Sequence, residues 1–198
     1  VSGCTYYDVE YDTSATFASP LHHVQSYTSS YTSAYTAELL FGQTYYWRVR
    51  ARHSVDTTSW STVWSFTTAN YITPVSPSNG ASNQNVDALL DWSTVSGCSY
   101  YDVEYDTSAT FASPLHHVQS YTSSYTSAYT ANLLFGQKYY WKVRARHATD
   151  TTTWSAVWSF TTANYISPVS PSNGASNQNV DALLDWSTVS GCSYYDVE

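Results

Sequence analysis

Apolar and polar side chains alternate at every second residue in short stretches along this chain, with turn-forming clusters between them. Tyr139, Trp141, Val143 and Ala145 interleave with Tyr140, Lys142, Arg144 and Arg146. Tyr101, Val103 and Tyr105 interleave in the same way with Asp102, Glu104 and Asp106. Period two is the mark of a strand with one buried face. The pattern predicts strands near 86–93, 100–106, 115–122, 128–134, 138–147 and 156–162. Pro74 and Pro77 remove ladder donors, so a strand near 73–78 is expected at a sheet edge. Helical periodicity of useful length is absent. Short strands with regular turns predict an all-β sandwich with seven short antiparallel strands.

The pattern repeats. Val1–Thr94 returns as Val95–Thr188 with nine substitutions, and Val189–Glu198 opens a third copy. The frame comes from the turn residues. Asn70–Gly80 and Asn164–Gly174 concentrate Pro, Ser, Asn and Gly, the composition of a linker followed by a turn. Residues 69–162 then form the one complete domain. Residues 1–68 lack its first two strands, and 163–198 supply only those strands and the start of the third. Either a longer parent chain continues in both directions or a neighbouring copy completes each half, and the first is favoured because near-identical arrays give such excerpts. No signal peptide or sorting tail is recognisable, and the chain starts and stops in mid-pattern.

Leu133-Leu-Phe-Gly-Gln-Lys-Tyr139-Tyr-Trp-Lys-Val-Arg-Ala145 resembles the fibronectin type III motif, with a Leu six residues before a corner Tyr and alternating core residues ending in Ala. Trp92 resembles that family's core Trp on the second strand. Tyr101–Tyr105 resembles its third strand, and Trp158–Thr162 its last. The resemblance spans the 94-residue unit and implies tandem immunoglobulin-like sandwiches, with Trp92, Leu133, Tyr139 and Trp141 in the core. Phe135 stands where the family usually has Pro before the turn Gly. Asp91–Gly97, Asp106–Phe111 and Thr153–Phe160 are also similar to repeats in secreted and surface adhesins of Bacteroidetes-type bacteria.

Composition narrows the function. Aromatics make up 17 % of the residues, too many for a disordered linker, and no apolar run approaches a membrane span. A net charge of −8 disfavours nucleic acid or an anionic membrane as partner. Cys4, Cys98 and Cys192 occur once per repeat, so no repeat closes its own disulfide. Each reads as a small buried hydrophobe in a tight turn, or as a bond between neighbouring molecules in an oxidising compartment. No metal or other cofactor is expected. Adjacent residues in a strand point to opposite sides, so His116 and His117 cannot chelate one ion together.

The polar face of the third and sixth strands predicts an exposed ladder of three carboxylates beside three cations, Asp102, Glu104 and Asp106 against Lys142, Arg144 and Arg146. Asp8, Glu10 and Asp12 against Arg48, Arg50 and Arg52 repeat it. Calcium is the rival reading of Asp-x-Glu-x-Asp. It needs 6–8 converging oxygens, whereas a strand spreads alternate side chains apart. Tyr121, Tyr125 and Tyr129 recur every fourth residue, which in an extended chain aligns three rings in a face able to stack on sugars. The plainer reading packs them on the core edge and across the sheet. No nucleophile elbow, isolated carboxylate pair or phosphate loop suggests catalysis.

Asp56-Thr57-Thr58 and Asp150-Thr151-Thr152 resemble an acceptor pattern for O-linked glycans in Bacteroidetes-type bacteria, which would place sugars on Thr57 and Thr151; Thr13 and Thr107 are looser matches. The plainer reading is a polar turn. These features predict a structural and adhesive repeat segment of a long extracellular or cell-surface bacterial fibre, a semi-rigid stalk. Its expected partners are neighbouring identical repeats, lateral copies or glycans. The alternative is a spacer or carbohydrate-binding module of a secreted polysaccharide-degrading enzyme.

Overall fold

The computed structural model describes residues 2–19, 22–36, 39–113, 117–131, 133–148, 150–189 and 191–198. The chain divides into two compact units, Val1–Asn70 and Tyr71–Glu198. Among the described residues the regular structure is all β, and no helix is long and apolar enough to cross a membrane.

Unit 1 is a single antiparallel sheet in the order β2-β1-β3-β4. Its strands are β1 (Tyr6–Asp12), β2 (His23–Thr28), β3 (Thr44–Arg52) and β4 (Trp64–Thr67). β1 and β3 pair with Val9 opposite Val49 and Tyr11 opposite Trp47. This register gathers the apolar side chains on one face.

Unit 2 opens with β5 (Pro74–Ser76), β6 (Ala81–Gln84) and β7 (Leu89–Trp92). It continues through β8 (Tyr100–Asp106), β9 (His117–Thr122), β10 (Ser127–Tyr129), β11 (Lys138–His147), β12 (Asp150–Thr151) and β13 (Trp158–Thr162). β14 (Pro168–Ser170) and β15 (Asp185–Trp186) pair with each other near the C-terminus. Two sheets face one another: β10-β7-β5, and β6-β13-β11-β8-β9 with β12 attached to β11. Leu90 and Trp92 of the first sheet and Tyr101, Val103, Tyr105, Tyr139, Trp141, Val143 and Phe160 of the second are buried. Leu133 is buried beside them.

The edge strand expected at 73–78 is β5, shortened to Pro74–Ser76 at the edge of its sheet, and β6 is a further strand that the alternation did not predict. β5 joins the sheet of β7, and β6 crosses to lie parallel to β13. Pro77 interrupts the ladder between them, and the turn that follows needs Gly80 at φ +82°, whose N–H donates to the Ser159 carbonyl at 2.7 Å. β10 ends at Tyr129 rather than near 134 because the chain leaves the sheet for the corner at Tyr139. There the Leu134 N–H donates to the Tyr139 hydroxyl oxygen at 3.0 Å. Phe135 in place of Pro leaves this turn intact, with Gly136 at φ +65°. β12, opposite Arg146 and His147, had no counterpart in the alternation pattern. The expected strand at 115–122 begins at His117 among the described residues; 115 and His116 lie outside them.

Candidate functional site: a roofed ion-pair face

β8 and β11 pair with Asp102 opposite Arg144 and Glu104 opposite Lys142. Side chains on alternate residues share a face, so these charges meet. Lys142 Nζ is 3.0 Å from Glu104 Oε2, and Arg144 Nε is 3.0 Å from Asp102 Oδ2. Arg146 reaches the other oxygen of Asp102 at 3.5 Å. In unit 1, Arg50 and Arg52 reach Asp8 at 2.9 and 3.6 Å, and Arg48 and His22 each lie 2.5 Å from Glu10.

Two features of this face correct the expectation. The carboxylates are not exposed: Asp8, Glu10, Asp12, Asp102 and Asp106 are buried. Nor does the third pair form, because the register sets Asp106 opposite Tyr140 and Arg146 opposite Tyr100. The cover is aromatic. Lys142 Nζ stands 4.0 Å from the Phe111 ring and 4.6 Å from Trp154, and Arg144 stacks on Trp154 at 4.5 Å. Phe17 and Trp60 hold Arg48 and Arg50 at similar distances in unit 1. Cation–π stacking and the aliphatic stems of the basic side chains thus exclude water from the carboxylates.

Asp106 replaces its missing cation with hydrogen bonds. Ser113 donates to it through both its hydroxyl and its backbone N–H, and the Ser108 N–H donates at 3.2 Å. These bonds close the loop 107–113 and carry Phe111, at φ +56°, over Lys142. Burial pushes the Asp106 carboxyl up, but the Ser113 hydroxyl and then the backbone donors outweigh it and hold the group below the usual carboxylate range. Asp12 with Ser19 repeats this balance. Asp8 is also held low: burial raises it, and Ser26, Arg50 and Arg52 more than compensate.

The three tyrosines do not form one row. A turn, with the Tyr125 N–H bonded to the Thr122 carbonyl, breaks the extended path. Tyr121 lies on β9, its ring 6.0 Å from the core Trp92 and 5.9 Å from Tyr125. Tyr129 lies on β10 in the opposite sheet and is exposed. His117 stacks on Tyr105 at 4.6 Å. Among the described residues no group of three His, Cys, Asp or Glu side chains is placed to hold a metal ion.

All three cysteines are free thiols; Cys98 is buried, and Cys4 and Cys192 are half-buried. Cys98 sits in the Val95–Cys98 turn beside Tyr101, whose hydroxyl is pushed up to about 12 by burial and by its bond to Cys98. Of the four threonines with acceptor-like contexts, Thr57 is exposed and Thr151 half-buried in β12. Thr13 and Thr107 each donate to Ser19 or Ser113 at 3.0 or 3.1 Å inside the Asp-centred loop.

The strand order of residues 71–162 defines an immunoglobulin-like β-sandwich, and the buried corner Tyr139 and core Trp92 make it fibronectin type III-like. The chain is similar to a two-domain fibronectin type III segment of chicken tenascin: 16 % identity, TM-score 0.42, covering 82 % of this chain and 87 % of that one. It is also similar to the FN1–FN3 domains of chicken CNTN1, at 15 % identity and TM-score 0.39, covering 81 % of this chain and 55 % of that one. No family model matches the chain, and no curated protein matches it.

Proposed function

We propose that this chain is a structural segment of an extracellular bacterial fibre, with each sandwich holding the next away from the cell surface. The observation that carries the reading is where the two copies differ. The substituted positions are 5, 38, 44, 48, 54, 55, 59, 62 and 73 of the first copy. Among the described residues none of them is buried in either copy. Even Arg48 and its counterpart Lys142 keep a cation over the same Phe, 4.0 Å away in both units. The core, ion-pair face and loop anchors are thus duplicated together, which suits a module whose use lies in repetition rather than in a cleft. Short Pro-containing linkers fit a semi-rigid rod.

Antibodies against residues 71–162 test the reading on intact cells of the native host. Surface labelling, together with a reading frame carrying many further copies, supports the fibre. A flanking hydrolase domain with few copies supports the spacer role instead. Selective glycan-array binding abolished by Tyr125→Ala would replace the structural reading with a carbohydrate-binding one. Glycans on Thr57 and Thr151 would be a decoration of the stalk, shielding its sheet edges.

A further inference from the structure

Sheet edges in the complete sandwich are guarded unevenly. An edge strand presents backbone N–H and C=O groups that a further strand can take, and short length, proline, bulges or charge ordinarily blunt it. In residues 71–162, β5 and β10 have three residues each, and β5 opens on Pro74. β6 has four and meets β13 through a shifted register. β9 has none of these devices. It runs six residues, His117–Thr122, in unbroken register with β8, and no strand lies beyond it among the described residues. From His117 to Ala131 the sequence contains no Asp, Glu, Lys, Arg, Pro or Gly. β2 repeats the same six residues at the edge of unit 1, paired to β1 in the same register.

Ladder parity decides which groups face outwards. The Ser123 N–H donates to the Ser99 carbonyl at 2.9 Å, so the odd-numbered residues of β9 bond inwards to β8. The backbone groups of Val118, Ser120 and Thr122 therefore point along the open edge. Of these, the Thr122 carbonyl also accepts the Tyr125 N–H at 3.0 Å. The Ser29 N–H and Thr5 carbonyl set the same parity for β2, again at 2.9 Å. Side chains leave the edge clear. The Ser120 hydroxyl turns back to Asp102 Oδ1 at 2.7 Å, and Val118 is exposed opposite Glu104.

We infer that β9 and β2 are lateral assembly edges, each pairing antiparallel with the same strand of a second copy of this chain. The strand is complementary to itself about Ser120. In that two-fold register Ser120 faces Ser120, Val118 faces Thr122 and Gln119 faces Tyr121, and outward N–H groups meet outward carbonyls. The β-branched Val118 and Thr122 make a favourable cross-strand pair, and no like charges meet within it. A charged peptide finds no ionic partner on this strand, which favours its own copy as occupant. Pairing joins the sheets of two molecules into one. Each chain carries two such edges, so association continues past the dimer. The inference is independent of the stalk reading.

Sedimentation and amide hydrogen exchange of the whole chain test it together. The wild type should form a concentration-dependent series of oligomers. The Val118 and Ser120 amides, with those of Val24 and Ser26, should exchange freely in dilute solution and become protected as the series forms. Val118→Pro removes one outward N–H without taking a bond from β8, so it should stop the series at the dimer. Val24→Pro combined with Val118→Pro should leave a monomer with the near-UV circular dichroism of the wild type. If the prolines unfold the chain, exchange in the wild type decides alone. A wild type that stays monomeric at every concentration overturns the inference. So does a series that forms while those four amides stay unprotected, or oligomers that persist in the folded double variant.

Discussion

The Leu134 N–H and the Tyr139 hydroxyl oxygen, five residues apart, meet at 3.0 Å, and Leu40 and Tyr45 repeat the bond at the same distance. Tyr139 is buried, so its ring fixes the corner and its hydroxyl holds the loop to it. Tyr139→Phe keeps the ring and loses one bond. The expected loss is about 0.5–1.5 kcal/mol, read from the unfolding midpoint of unit 2 in urea at unchanged slope.

Trp92 bridges the two sheets, with its ring against Tyr101 and Tyr121. Trp92→Ala should cost about 3–5 kcal/mol through the cavity it leaves. That is a large share of a typical domain's stability. Loss of the cooperative transition of unit 2 by near-UV circular dichroism is the expected result.

The Asp-centred loops make stability sensitive to acid. Asp8, Asp12 and Asp106 are held below the ordinary carboxylate value in the folded chain. A group with a depressed folded pKa binds its proton more readily when unfolded. Its contribution is therefore present above about pH 4, the unfolded value, and is lost as pH falls towards the folded one. Thermal midpoints should be insensitive to these groups between neutral pH and about pH 5, then fall at lower pH. Ser113→Ala removes the largest of the interactions that lower Asp106, so the part of the acid decline of unit 2 that this group contributes should become smaller and be complete at higher pH. At neutral pH the same variant should lose about 1–2 kcal/mol.

Thr57 is the exposed member of the four glycan candidates, while Thr13 and Thr107 have their hydroxyls occupied. Material from the native host should therefore carry added mass on the peptide containing Thr57, and on that containing Thr151, before any on Thr13 or Thr107. Peptide mass mapping checks this, and a bare mass at all four sites removes the modification.

Period-two alternation made β8, β11 and the core residues Tyr139 and Trp141 legible, because a strand converts sequence parity directly into facing. Trp92 and Leu133 were legible from the fibronectin-like motif. The depth of the ion-pair face was not. Parity says that Asp102 and Glu104 leave the core, but whether they then meet water depends on Phe111 and Trp154, which arrive from loops. The Ser113 anchor lies seven residues from Asp106, beyond the reach of any alternation rule. Copying of the Asp–Ser–Phe–Trp set in both repeats was its one trace in the sequence. The tyrosine row failed for a related reason: spacing of four aligns rings only while the chain stays extended, and it turns at Thr122–Tyr125.

The parallel pairing of β6 with β13 has a mechanical consequence. β6 lies near the N-terminal end of the complete sandwich and β13 near its C-terminal end. The Gly80 and Ala163 N–H groups tie the two segments at 2.7 Å each, to the Ser159 and Gln84 carbonyls. Tension on a chain entering before β6 and leaving after β13 pulls the two strands past each other along their length. Their bonds are then strained together in shear, and the force cannot peel them apart one at a time.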